Sequence, residues 1–406
     1  MVDAFAHPDI TSAGFFADRY PTYRVLRDNF PRFATEIDGE QCIMLTRYAD
    51  VDEALRNPLI TVQPEPGEFP PEERIGRGPA SVYYREAFVN IDPPVHTRIR
   101  KIATPSMTPR AVGAMRGWVE EIVERNLAAL EDESKVDFAT AFASSVTAEV
   151  SCRLVHAPVA DAQMLLSKAH ELLAIVGVAS MSSGALEIAD AAGHFYYEYF
   201  EDLVNTLRRV DLPEDDIVRV LLDAEGRENG VTHTELLTTL IGFLIAGYHT
   251  TQAAMTNGVL AFLRHPDQKD LLVANPDLAR SAWEEILRYD GSVHFRHRYV
   301  SRPVTIGGEP IEPGQRLLLG LQPANRDERQ FPDPDRFIID RPNNRHLALA
   351  AGPHFCIGVQ LARLEGEVVF SRLFRRFPKM SISDVHLASH RDLSFPMIEH
   401  LNLHLN

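Results

Sequence analysis

Cys356 is the residue whose surroundings most clearly suggest chemistry. It follows a turn at Gly352-Pro353, it precedes Gly358, and a helix-forming run begins directly downstream. Backbone N–H groups at such a turn and helix start can donate to a sulfur anion, which lowers the thiol pKa and tunes its electron donation. The segment therefore suits a metal-bound thiolate. A lone cysteine is more often a small apolar core residue, so other residues must support this interpretation.

A second group lies in a long apolar segment. Ala246-Gly247-Tyr248-His249-Thr250-Thr251 falls within a run from about 234 to 264 that is apolar on nearly every helical face. Small residues at 246 and 247 would let a flat cofactor approach the backbone, and the Thr250 hydroxyl can hold a water that relays protons. An imidazole, with an ordinary pKa of about 6.5, can join such a relay at His249. The alternatives are an ordinary buried threonine and a histidine that faces solvent or a carboxylate.

Charged residues at helical spacing indicate an ion pair and an anion site. Glu285 and Arg288 lie three residues apart and would pair on one helix face. His96 and Arg100 lie four residues apart, after Pro93-Pro94, and would point the same way. Exposed surface charges are the alternative for each of these residues.

In chain order these segments resemble the motifs of the cytochrome P450 family. The segments follow the order of the family's motifs, which is HxxxR, AGxxTT, ExxR, PxRF (here at 334–337) and the cysteine loop (here at 346–365). The resemblance extends from about Tyr20 to the C-terminus. Two positions of the cysteine signature depart from the family pattern, because Leu349 and Ala350 replace its Phe and first Gly. The signature positions that match are Gly352, His354, Cys356, Gly358, Leu361, Ala362 and Arg363.

The resemblance implies a haem-thiolate monooxygenase with haem b as cofactor and Cys356 as the axial ligand to iron. By resemblance, the haem propionates would contact His96, Arg100, Arg298 and His354. Glu285, Arg288 and Arg336 would form a buried structural network beneath the haem. Thr250 and His249 would deliver protons, although family members usually carry Asp or Glu at position 249.

The helical patterns and a few late β-like segments predict a mainly α fold with a small β portion. We expect one domain over 1–406, with the P450 fold and the haem between the long central helix and the cysteine-loop helix. Apolar runs around Asp38-Gly39 predict a β-hairpin. By analogy the Pro-rich loop at 64–79, the 170–195 region and several single residues would line the substrate cavity. These residues are Tyr84, Phe88, Phe243, Ala246, Val293, His294, Phe295 and Met397, and Arg296 together with His294 hints at a polar or acidic group in the substrate.

The composition and charge of the chain indicate which kinds of partner it can bind. The formal charge of −16 makes binding to nucleic acid or anionic lipid a poor expectation. Three scattered cysteines and an N-terminus without an apolar segment favour a reducing cytoplasm and no membrane anchor. By resemblance, electrons would come from a separate ferredoxin or flavodoxin-like donor with its reductase, and we expect a monomer. The donor would dock on the face nearest Cys356, with Arg100, Lys101, Arg110 and Arg345 as candidate contacts.

Three other functions remain open at this point. Because His249 replaces the usual acid, the enzyme could be a peroxygenase, isomerase or dehydratase, or could catalyse coupling, nitration or desaturation. A non-catalytic haem-binding or ligand-binding protein would keep the thiolate but consume no oxygen. A haem-free helical interaction protein would use Cys356 only as a core residue.

Overall fold

A computed structural model of the protein describes residues 8–37, 39–64, 75–173, 184–387 and 392–406. The described chain is mostly helical, with short 3-10 and π turns between the helices. Its α-helices are α1 (Ala13–Ala17), α2 (Tyr20–Asn29), α3 (Tyr48–Arg56), α4 (Pro79–Glu86), α5 (Val95–Ala103), α6 (Pro109–Ala128), α7 (Ser145–Leu154), α8 (Ala162–Leu173), α9 (Ala185–Leu207), α10 (Ile217–Ala224), α11 (His233–Arg264), α12 (Pro266–Ala274), α13 (Ala279–Asp290), α14 (Leu321–Asn325), α15 (Val359–Phe370) and α16 (Leu373–Arg376).

The strands of the described residues are β1 (Arg32–Ile37), β2 (Glu40–Leu45), β3 (Ile60–Thr61), β4 (Lys135–Asp137), β5 (Phe295–Val300), β6 (Val304–Ile306), β7 (Glu309–Ile311), β8 (Arg316–Gly320), β9 (Ser381–Leu387) and β10 (Ile398–His404). They form three small sheets. The largest has the order β1-β2-β8-β5-β3, in which β2 and β8 are parallel and the other pairs antiparallel. A second sheet has the order β4-β10-β9, and β6 pairs with β7.

Helix α11 runs through the main apolar core. It has 32 residues and so is about 48 Å long. Thr232 and Glu235 cap its start reciprocally, each side chain accepting from the other's backbone N–H, and Pro266 follows its end. Most of its side chains are buried, because α7, α9 and α13 pack around it. The long central helix predicted from the sequence is thus confirmed.

The predicted hairpin is also present, with Arg32 paired to Leu45 and Ile37 paired to Glu40. Asp38 lies outside the described residues, as do 65–74 of the Pro-rich loop and 174–183 of the predicted cavity wall. Within the described residues no helix combines the length and apolarity needed to cross a bilayer.

Candidate active site

Cys356 lies between a 3-10 turn at Gly352–His354 and the start of α15. Its backbone N–H donates to the carbonyl of Leu349 at 3.0 Å, which closes the loop. Gly352 has a φ of +67°, and a Cβ there would lie 2.3 Å from the Leu55 carbonyl oxygen, so the position requires glycine. Burial raises the pKa of the Cys356 thiol, while the Gly358 N–H opposes that increase. The loop therefore aims a backbone donor at the sulfur.

Two histidines and three arginines form a cationic cluster around Cys356. The rings of His96 and His354 lie 4.1 Å apart, and His96 Nδ1 and Nε2 and His354 Nε2 are buried without a hydrogen-bond partner. Burial and then neighbouring arginines lower the pKa of His96 to about 4 and that of His354 to about 2. Arg100, Arg296 and Arg298 complete the cluster, and in the described chain no carboxylate forms an ion pair with them. This combination of cations and unsatisfied ring nitrogens suits the binding of anionic oxygens.

One face of α11 is directed toward this cluster. Phe243 lies 6.4 Å, ring to ring, from Phe88, whose ring stacks on His96 at 6.1 Å. Ala246 and Thr250 follow Phe243 at helical spacing, and both are accessible although the surrounding helix is buried. The Thr250 hydroxyl donates to the Ala246 carbonyl at 2.8 Å. The lone pairs of Thr250 Oγ1 consequently remain available to a polar group in the cavity.

Comparison with known proteins shows which family has this arrangement of residues. The family model described as Cytochrome P450 matches residues 31–396. The chain belongs to the cytochrome P450 family. It is 33% identical to the vitamin D(3) 25-hydroxylase of Pseudonocardia autotrophica, over 92% of this chain and 90% of that protein. It is 32% identical to the 6-deoxyerythronolide B hydroxylase of Saccharopolyspora erythraea, over 98% of this chain and 99% of that protein.

Solved structures support the same assignment. P450BioI, in complex with hexadec-9Z-enoic acid ligated acyl carrier protein, has a TM-score of 0.89 and 27% identity, over 97% of this chain and 99% of that one. The predicted family and mainly α P450 fold are therefore confirmed. The protein is a cytochrome P450 monooxygenase, and its cofactor is haem b. The cluster fits that cofactor, since it offers a cysteine sulfur for iron and buried, unpartnered donors for the propionates.

The structure also shows what the other faces of α11 do in this P450. Tyr248 donates to or accepts from Ser144 at 2.9 Å, and a Cβ on Gly247 would lie 3.0 Å from Ser151 Oγ of α7. Gly247 therefore allows α7 to pack closely. The expectation that both small residues admit a cofactor fits the placement of Ala246 and is wrong for Gly247.

His249 points between α11 and α8. Its ring lies 4.3 Å from that of His170 and 4.6 Å from that of Tyr248. Its Nε2 is buried with no hydrogen-bond partner, and burial and then His170 lower its pKa to about 3. The residue as a whole is half-buried, and over the described chain no carboxylate bonds to it, so the alternative of a carboxylate-paired histidine is wrong. His249 is a neutral imidazole at physiological pH.

The ExxR pair of this P450 is fully buried, and its third member differs from the prediction. Arg288 donates to both Glu285 carboxylate oxygens, at 2.7 and 2.8 Å. Arg341 contacts the same two oxygens from 3.1 and 3.2 Å. Arg336 supplies only its carbonyl, which accepts from Arg288 and Arg341 at 3.0 Å.

The predicted role of the Arg336 side chain is thus wrong. The turn at 333–336 directs it outward, where it is 71% exposed and 3.9 Å from Asp333. Arg341 is only 5% exposed and occupies the predicted place. The PxRF pattern fits Arg336 and not Arg341, so the sequence motif points to the arginine whose side chain lies outside the network.

The predicted substrate contacts divide into two groups. Tyr84, Phe88 and Phe243 are buried in the main core, and Val293 packs in the cluster that includes Ala351 of the cysteine loop. Phe295 instead packs with the N-terminal residue Tyr23, so its assignment to the cavity is wrong.

His294 accepts from or donates to the Tyr23 hydroxyl through Nδ1, at 2.8 Å. His294 and Met397 line a separate cavity of about 890 Å³ beside α2 and β9, which shares no residue with the Cys356 cluster. Their assignment to the haem-side cavity stays a prediction.

Proposed function

We propose that Cys356 ligates the haem iron and that His96, Arg100, Arg298 and His354 hold the propionates. A haem with a thiolate ligand supplies the activation of dioxygen that a monooxygenase needs. The convergence of the sulfur, the guanidiniums of Arg100 and Arg298 and three unpartnered ring nitrogens at one place is the observation that carries this proposal. Glu285, Arg288 and Arg341 would act structurally, by fixing the end of α14 and the loop segment that precedes the cysteine loop.

We propose that Thr250 and His249 deliver protons to the reaction site. Thr250 Oγ1 donates to the helix backbone, so its lone pairs can accept from a water in the cavity. A neutral His249 can pass a proton from one ring nitrogen to the other, and its neighbour His170 is exposed. This route replaces the carboxylate that most relatives carry at position 249.

The substrate is proposed to be a small or medium organic molecule of bacterial secondary or catabolic metabolism. Phe88, Phe243 and Ala246 give the cavity an apolar wall beside the His96 ring. The relatives named for hydroxylation of vitamin D(3) and of 6-deoxyerythronolide B support an oxidation of this kind. Hydroxylation or a related oxidation of an apolar skeleton would follow.

We propose a ferredoxin or flavodoxin-like donor that docks beside Cys356. Phe355, next to the ligand, is 36% exposed, and Lys101, Arg110 and Arg345 are exposed cations. Arg100 is half-buried and interacts electrostatically with the Cys356 sulfur, so we assign it to the haem site and not to the docking surface. Long-range attraction between these cations and an acidic donor would mainly speed association. A single domain and a monomer are proposed with this arrangement.

The test is to supply the holoenzyme with a ferredoxin, its reductase and NADH, and to measure oxygen consumption and product against peroxide alone. We expect turnover to need the donor, and Arg345→Glu to slow reduction of the haem about tenfold at low salt. Arg209→Glu, at the exposed end of α9, is the matched control and should not change that rate. A peroxygenase, which the neutral His249 favours as a second candidate, would turn over equally well on peroxide without the donor.

A further inference from the structure

Arg296 is a charged residue in the Cys356 cluster that the proposed function leaves unused. It lies on β5, opposite Leu319 of β8, and two residues before Arg298. Its guanidinium lies 5.0 Å from the centre of the Phe395 ring. Throughout the described chain it has no hydrogen-bond or ion-pair partner. A half-buried guanidinium that contacts an aromatic face and no carboxylate leaves its N–H groups open to an anion beside it.

The charges of the cluster lead to the same conclusion. A ferric ion, a porphyrin dianion and a thiolate sum to zero, so bound haem adds only the two propionate charges. Arg100, Arg296 and Arg298 bring three positive charges, and each of them has its pKa affected by another cluster member. Two propionates can pair with two of the three guanidiniums, so the third has no carboxylate at ion-pair distance, although Asp92 and Asp392 act on the cluster from farther away.

The nearest acidic side chains are already engaged with backbone groups. Asp392, which interacts electrostatically with Arg296, accepts the N–H groups of Ser394 and Phe395 at 2.7 and 3.0 Å. Asp92 lies near Arg298 and accepts from the backbone of residues 62 and 63. Neither acid reaches Arg296 within ion-pair distance.

We propose that Arg296 determines substrate specificity by binding a carboxylate of the substrate. The proposal rests on the proposed function and adds the substrate's chemical class: an organic acid whose apolar body lies toward Phe243 and Ala246. Phe395 stacks on the guanidinium and holds it in place, so that little side-chain entropy is lost on binding. Bidentate contact with a carboxylate is the geometry that an arginine fork favours.

The test compares acids with their own amides. Dodecanoic acid with dodecanamide, and 4-phenylbutanoic acid with its amide, would be titrated into the holoenzyme, with affinity read from calorimetry and from the haem absorbance. We expect each acid to bind at least about tenfold more tightly than its amide, as a charge-assisted hydrogen bond in a buried site provides. Arg296→Gln should abolish this ratio, and Arg296→Lys should retain part of it. Arg302→Gln, an exposed arginine just after the same strand, is the control and should leave the ratio unchanged.

Two results would overturn the proposal. One is a wild-type enzyme that binds neither acid better than its amide. The other is an Arg296→Gln enzyme that keeps the ratio but loses haem faster to apomyoglobin, because Arg296 would then hold a propionate. The spectrum of the reduced, carbon monoxide-bound enzyme keeps this result separate from the proposed function. A thiolate-type band with no acid preference refutes only the role of Arg296, whereas a missing band refutes the haem-thiolate site itself.

Discussion

Replacing Arg341 with methionine removes the central cation of a buried network while keeping a long apolar side chain. The guanidinium donates to both Glu285 oxygens and to the carbonyls of Pro332, Asp333 and Arg336, at 2.6 to 3.2 Å. Glu285 keeps Arg288 as a buried partner, so losing its hydrogen bonds from Arg341 costs only about 1–2 kcal/mol. The three carbonyls that lose a donor add about 1 kcal/mol each.

We therefore expect Arg341→Met to lower the free energy of unfolding by about 4 kcal/mol. For a chain of 406 residues this corresponds to a fall in Tm of about 5 °C. Arg336→Met is the matched control, because that side chain is 71% exposed, and its effect should stay below about 0.5 kcal/mol. Urea unfolding followed by circular dichroism measures both variants. Equal losses, or a larger loss for Arg336→Met, would refute the assignment of Arg341 as the third member of the network.

Ala350 has a left-handed φ of +58°, which glycine adopts with less strain than alanine. Ala350→Gly should therefore raise the free energy of unfolding by about 1 kcal/mol. Unchanged or lower stability in urea unfolding would contradict this expectation. Burial raises the pKa of Glu284, but hydrogen bonds and charge from His346 and Arg363 lower it overall, from 4.5 to about 2. The stabilisation is complete above pH 4.5 and is lost as pH falls toward 2, so the difference in unfolding free energy between wild type and Glu284→Gln should shrink across that range. A constant difference would show that the carboxylate charge does not matter. Thr250→Ala should divert electrons from product to hydrogen peroxide, Thr250→Ser should restore product, and identical coupling in both would remove Thr250 from proton delivery.

Much of the fold followed from local sequence patterns. An apolar run on every face, with a capping box at Thr232 and a proline after Arg264, determines both ends of α11. The Cys356 loop is similarly local, since its glycines and the following helix lie within a few residues of one another. Such features depend little on distant contacts, so the sequence predicts them well.

The errors concern residues whose side-chain direction depends on tertiary contacts. Phe295 and Arg296 are the first two residues of β5, and neighbouring strand residues point to opposite faces. Phe295 turns to the N-terminal cluster, and Arg296 turns to the haem site. Arg341 was missed because the choice between two nearby arginines is made by the turn at 333–336 and by Glu285, which is distant in sequence.

The account depends most directly on the bond between Cys356 and iron. The decisive measurement is the absorption spectrum of the reduced, carbon monoxide-bound protein for wild type, Cys356→Ala and Cys42→Ala, all expressed with ample haem. Cys42, a buried cysteine in β2, provides the control. We predict a thiolate-type band in wild type and Cys42→Ala and its loss in Cys356→Ala. A band that survives in Cys356→Ala, or a wild-type protein without one, would contradict the account.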